Sequence, residues 1–263
     1  MPHLIPPAAD LRPAAGVAAR AARAVTPAGA LGLGAPVRPR PGPDPGVWEA
    51  LARPGVPLHW AVLDVRRGPG DRPDPVRRAG AARLRAAGSP APVLGLLELC
   101  GGSRPFGELV ADARRFLDWY DVDGFYLAHC PSDPGRLAAT SRIARTLRAL
   151  SDGGPLVLEH GTHPDPRYAE CADQLVTFSG GWPDYRWSQA APWTAGHPPE
   201  RFCHLVHGVP GTHLDEALRI ARWQGAGTVW FTDRTPCGGT APWSALPGYW
   251  DDIVSRIGPG VSE

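Results

Sequence analysis

Four carboxylates, Asp64, Glu98, Glu159 and Asp233, stand at or beside the ends of short apolar runs in this 263-residue chain. Two such groups brought close together can share general acid-base work, one giving a proton and the other taking one. Glu98 and Glu159 are the candidate pair. The same side chains could instead hydrogen-bond sugar hydroxyls, or clasp backbone amides and Arg104. His129 directly follows an apolar run and is the third catalytic candidate. His129 and His160 with Glu159 and Asp233 offer metal-ligand chemistry. No HxH or HExxH spacing supports it, so neither a metal nor a cofactor is expected. His204 and His207 are three apart on an extended run and face opposite ways. Ser179 lacks the GxSxG surroundings of a nucleophile elbow.

Aromatic residues suggest binding chemistry. Trp182, Tyr185, Trp187 and Trp193 crowd one Gly/Pro-rich segment. Indole and phenol faces stack on the apolar faces of sugar rings. Tyr126, Trp182 and Tyr185 are therefore candidate ligand-binding residues, with Asp64 and Asp233 as hydroxyl partners. Trp119, Trp223, Trp230 and Trp250 fall in regular elements and are expected in the core.

A formal charge of +1 implies no attraction to polyanions or membrane surfaces. The basic residues form no stripe interleaved with aromatics, so no nucleic-acid partner is expected. No apolar run of about 18 residues exists to span a bilayer. The five cysteines are scattered without a CxxC pair, which points to buried thiols rather than a zinc ribbon or disulfide framework. Arg residues interrupt the Ala-rich N-terminal stretch, so it lacks the apolar core of a secretory signal. A cytoplasmic location is the default expectation, with secretion left open.

The elements that must position these groups alternate regularly. Short apolar runs fall at 31–37, 59–65, 92–99, 122–127, 155–159, 174–178, 202–207 and 228–232. Helical spacing appears at 75–87, 106–120, 136–150, 214–223 and 249–257. Short buried strands alternating with helices argue for a parallel sheet. Eight strands in about 230 residues argue for its closure into a single (β/α)8 TIM-like barrel over 30–263. An open doubly wound sheet is the alternative, but Gly32-Leu-Gly34 lacks the third glycine and trailing helix of a phosphate fingerprint. Residues 1–29, rich in Ala, Pro and Arg, read as a flexible tail.

Four segments together resemble the spherulin-4-like proteins of spherulation-specific family 4. They are Leu63-Asp-Val-Arg-Arg-Gly-Pro-Gly70; Val93-Leu-Gly95 through Gly102-Ser-Arg104 to Asp118-Trp-Tyr120 and Val122-Asp-Gly124; Gly161-Thr162 with Tyr168, Ala172-Asp173 and Phe178; and Thr232-Asp233 with Pro242-Trp243 and Leu246-Pro-Gly-Tyr-Trp250. The resemblance implies a TIM-like barrel related to glycoside hydrolases of amino-sugar exopolysaccharides. It implies an Asp-Glu pair where this chain has Ala128-His129, and a further Glu where it has Ser179. An Asn-Pro is replaced by Glu159-His160, and an aromatic by Gly101. Alanine transfers no proton, and serine has no acid group near neutrality. The expectation is a non-catalytic or altered carbohydrate-binding relative, its ligand a poly- or oligosaccharide. The alternatives are an active hydrolase using relocated carboxylates, Glu98 and Glu159, and a scaffold or partner-binding protein.

Overall fold

A computed structural model describes residues 31–36, 45–65, 67–237 and 241–257. The expected tail at 1–29 lies outside them. Eight strands, β1 (Gly32–Ala35), β2 (Leu58–Leu63), β3 (Val93–Glu98), β4 (Gly124–Ala128), β5 (Leu156–Glu159), β6 (Gln174–Gly181), β7 (Phe202–His207) and β8 (Thr228–Thr232), close into a parallel barrel in sequence order. The helices are α1 (Pro45–Leu51), α2 (Pro75–Ala86), α3 (Phe106–Tyr120), α4 (Leu137–Leu150), α5 (Trp182–Tyr185), α6 (Leu214–Trp223) and α7 (Trp250–Ile257). Closure of β1 on β8, through Gly32 opposite Thr228, excludes the open sheet.

Local chemistry explains the helix boundaries. Asp74 caps α2 by accepting from the amides of Val76 and Arg77, with Pro75 at the first position. Asp121, in the left-handed region at φ 56°, ends α3. Asp123 accepts from Val93 N at 2.8 Å and Asp173 from Leu156 N at 2.8 Å, so each aligns its neighbouring strand. Two short helices escaped the periodicity, α1 and α5. Their seven and four residues are too few to establish a 3.6-residue repeat.

Alternation decides which side chains enter the barrel. A Cβ on Gly95 would lie 2.7 Å from Phe116 of α3, so that position faces the helices. Leu94, Leu96 and Glu98 accordingly point inward. Deep in the barrel, Trp60 Nε1 donates to Gln174 Oε1 at 2.8 Å and Gln174 Nε2 donates to Thr228 Oγ1 at 2.8 Å. Tyr126 packs on Trp60 with ring centres 5.5 Å apart. Trp60, Tyr126, Gln174 and Thr228 come from β2, β4, β6 and β8, the alternate-strand layering that fills such a barrel.

This layer corrects one expectation. Tyr126 is buried within it and presents no face to a ligand. Trp223 is corrected in the opposite sense. It ends α6 at 76% exposure, outside the core. Cys130, Cys171 and Cys203 are buried as expected, whereas Cys100 and Cys237 are exposed. Among the described residues no helix is long and apolar enough to cross a membrane.

Where β4 meets β5, space is tighter still. A Cβ on Gly124 would lie 2.1 Å from the carbonyl oxygen of Pro155, which receives the Phe125 amide at 2.9 Å. Backbone cannot yield as a side-chain tip can. Gly124→Ala is expected to destabilise the fold by about 1 to 3 kcal/mol, read as a lower urea midpoint at unchanged slope. An unshifted midpoint would contradict this packing.

Candidate functional site

The C-terminal ends of β3, β4 and β5 bring three positions to one level. Glu98 pairs with Ala128 across the β3–β4 ladder. Leu127 pairs with Leu158 across β4–β5, so Ala128 stands beside Glu159. The methyl of Ala128 thus occupies the strand between two glutamates. Adjacent strands are about 4.8 Å apart, which separates the two glutamate backbones by roughly 10 Å. Both stand at inward-facing register positions of the barrel. Cys130 feels both charges. Burial chiefly raises its thiol pKa, and Glu159 and then Glu98 push it further.

Each glutamate accepts a hydrogen bond. His129 Nδ1 lies 2.7 Å from Glu98 Oε1, and Ser179 Oγ donates to Glu159 Oε1 at 3.4 Å. Glu159 is only 7% exposed. The His129 side chain is 60% exposed. With its Nδ1 proton directed at Glu98, the imidazole leaves Nε2 for a further hydrogen bond. The backbone sets this geometry. His129 has φ 51° and Cys100 has φ 50°, both in the left-handed region. Neither is glycine, so each conformation costs about 1 to 2 kcal/mol. Hydrogen bonds hold them there: Leu99 N to Ala128 O, Gly101 N to His129 O and Cys130 N to Glu159 O, at 2.7–2.9 Å. Such strain clusters at functional sites.

Two further candidates hold loops. Asp64 is buried, and its Oδ1 accepts from Gly68 N at 3.3 Å, closing the turn after β2. Asp233 is exposed and accepts from Gly248 N at 2.9 Å, which pins the loop before α7. Arg104 reaches the Glu98 carbonyl at 3.4 Å while pairing with Asp112, so it braces β3 through the backbone.

The expected stacking platform is also corrected. Trp182 and Tyr185 are buried. Tyr185 places its hydroxyl 2.9 Å from His204 Nδ1 and packs on Phe178 and Phe231. α5 folds these rings back against the outer wall, which leaves them no face for a sugar. Trp187, two residues on, remains 81% exposed.

The histidines divide by environment. His160 directs Nδ1 to Pro131 O at 2.9 Å and packs edge-on against Tyr168. Burial lowers its pKa to about 4. It supports the loop after β5 rather than joining His129. His204 and His207 do face opposite ways: His204 meets Tyr185, whereas His207 meets Trp243 at 5.9 Å. Among the described residues no three His, Cys, Asp or Glu side chains are grouped to hold a metal ion.

The contact between His129 and Glu98 was not derivable from spacing, since 31 residues separate them. Parallel pairing of β3 with β4 supplies it. Chemically, the cluster offers carboxylate, imidazole and hydroxyl groups for hydrogen bonding, suited to a polyhydroxylated ligand. It carries no acid on β4, where Ala128 stands.

Comparison with known proteins agrees with this architecture. Residues 41–257 match the family model described as spherulation-specific family 4. The crystal structure of Aspergillus clavatus Sph3 in complex with GalNAc superposes with a TM-score of 0.72 at 20% identity, over 87% of this chain and 97% of that one. Phospho-2-dehydro-3-deoxyheptonate aldolase from Thermotoga maritima aligns at 15% identity over 87% and 67% of the two chains, with a TM-score of 0.47. No curated protein matches the sequence.

Proposed function

We propose that this chain, which belongs to spherulation-specific family 4 and is similar in fold to Sph3 in complex with GalNAc, binds an amino-sugar poly- or oligosaccharide at the barrel mouth without the acid chemistry that the family resemblance implies. The observation that carries this reading is Ala128 between Glu98 and Glu159. The strand that the resemblance assigns the acid pair ends instead in a methyl group and an imidazole bonded to Glu98. Hydroxyl recognition survives such a change because Glu98 and Glu159 remain hydrogen-bonding groups and His129 keeps a ring nitrogen for a further bond. Proton donation from β4 does not survive it, and that step contributes about 10² to 10⁴ in rate. The GalNAc bound by the Sph3 relative supports an amino sugar as the ligand class.

A second reading is an active hydrolase in which Glu98 and Glu159 take over both carboxylate roles. Their placement on either side of one strand favours it. One titration separates the two. N-acetylgalactosamine and its oligomers are titrated calorimetrically into wild type, Glu98→Gln and Glu159→Gln, with product release followed in parallel. Binding without cleavage is expected, weakened about tenfold or more in each variant, since hydrogen bonds to charged groups contribute about 1.5 to 3 kcal/mol. Cleavage abolished by either substitution would establish the second reading. Absence of heat across amino-sugar and neutral glycans would remove both.

A further inference from the structure

Three large hydrophobic side chains are exposed among the described residues: Val76, Trp187 and Trp223. Two of them are indoles on one flank of the barrel. Trp187 follows α5, and Trp223 ends α6. The residues after each are joined, because Gln224 Nε2 donates to both Ser188 O and Ser188 Oγ at 3.0 Å. Helices of such a barrel run opposite to the strands, so the end of α6 lies on the outer wall, away from the mouth. This is a second place, separate from Glu98 and Glu159.

Trp187 is held rather than loose. The Arg186 guanidinium lies 5.9 Å from its ring centre and 5.5 Å from that of buried Trp182, and pairs with Glu216 at 3.4 Å. Trp187 is thereby anchored through Arg186 to the wall while staying open to solvent. Anchoring an exposed ring lowers the entropy lost when a ligand covers it.

The surroundings indicate what covers it. A protein hot spot needs an apolar centre sealed from water by further contacts. Here Arg186 and Gln189 lie within two residues of Trp187, Arg219 and Arg222 lie within four residues of Trp223 on α6, and all four are exposed. Isolated aromatic faces among hydrogen-bonding side chains match a ligand with apolar C–H faces and a rim of hydroxyls. We infer that Trp187 and Trp223 form a surface site for a glycan chain, binding the same class of polymer as the mouth. This rests on the glycan reading above for the ligand class but not on the mouth residues.

The test compares the full-length wild type with Trp187→Ala/Trp223→Ala, using N-acetylgalactosamine oligomers as one probe and the monosaccharide as the other. Size-exclusion mass is measured alongside. Both side chains are exposed, so the variant is expected to fold. Oligomer affinity should fall about tenfold, as for loss of two aromatic contacts, while monosaccharide affinity and molecular mass stay unchanged. Equal oligomer binding by both proteins, or none by wild type, overturns the surface site. Trp-dependent oligomer binding with no monosaccharide binding supports the surface site and sinks the mouth reading instead. A dimer that becomes a monomer in the variant, with glycan binding unaltered, overturns the inference in favour of a contact between two copies of the chain.

Discussion

Acidification from pH 7 to pH 4 is expected to unfold the barrel. Three histidines are held neutral inside it. His59 sits beside Thr228 Oγ1 at 2.9 Å, and its pKa falls from 6.5 to about 4, chiefly through burial, with Glu200 opposing. Burial brings His160 to about 4. It brings His204 to about 3, with His163 adding a smaller push in the same direction. Below pH 6.5 the unfolded chain takes up these protons and the folded chain does not. Their contribution is therefore whole above pH 6.5 and is lost as pH falls towards the folded values. At about 1.4 kcal/mol per unit per group, each loses roughly 3 kcal/mol by pH 4. The three together approach about 10 kcal/mol, comparable to the whole stability of a typical domain. Asp165 and Glu216, held low by Arg167 and His213, act in the same direction at still lower pH. Urea unfolding at pH 7, 6, 5 and 4 measures the effect. A stability flat to pH 4 would show that these imidazoles are protonated, or reach water, in the native state.

Trp60→Ala is expected to lower the melting temperature by about 10 °C. Trp60 is fully buried and ties β2 to Tyr126 of β4 and Gln174 of β6. Truncating such a ring costs about 3 to 5 kcal/mol through lost burial and the cavity left behind. It also removes the donor to Gln174 Oε1, leaving a buried acceptor that adds about 1 kcal/mol or more. For a chain of this size each kcal/mol moves the midpoint by about 2 to 4 °C. Trp60→Phe keeps most of the volume but not the N–H, and should fall between wild type and alanine. A shift of under about 3 °C in Trp60→Ala would mean that the layer repacks, contrary to the close fit seen here.

The order of elements was legible because burial on a pleated strand and on a helix leaves different repeats in the chain. All eight apolar runs became strands, and all five helical stretches became helices. Their alternation implied a parallel sheet covered by helices, and eight runs in about 230 residues argued for its closure into a barrel. The glutamates at the ends of the third and fifth strands were likewise visible as residues. What sequence spacing could not express was contact across strands. Register between β3, β4 and β5 placed Ala128 between Glu98 and Glu159 and brought His129 to Glu98. Nor could it express the facing of side chains beyond regular elements. Trp182, Tyr185 and Trp187 look alike in a loop, yet the short turn of α5 buries two and exposes the third. Trp223 looked like core because its helix is amphipathic, but it falls where that helix runs out and packing ends. Local periodicity encodes which faces seek burial, whereas only the closed chain decides which of them find it.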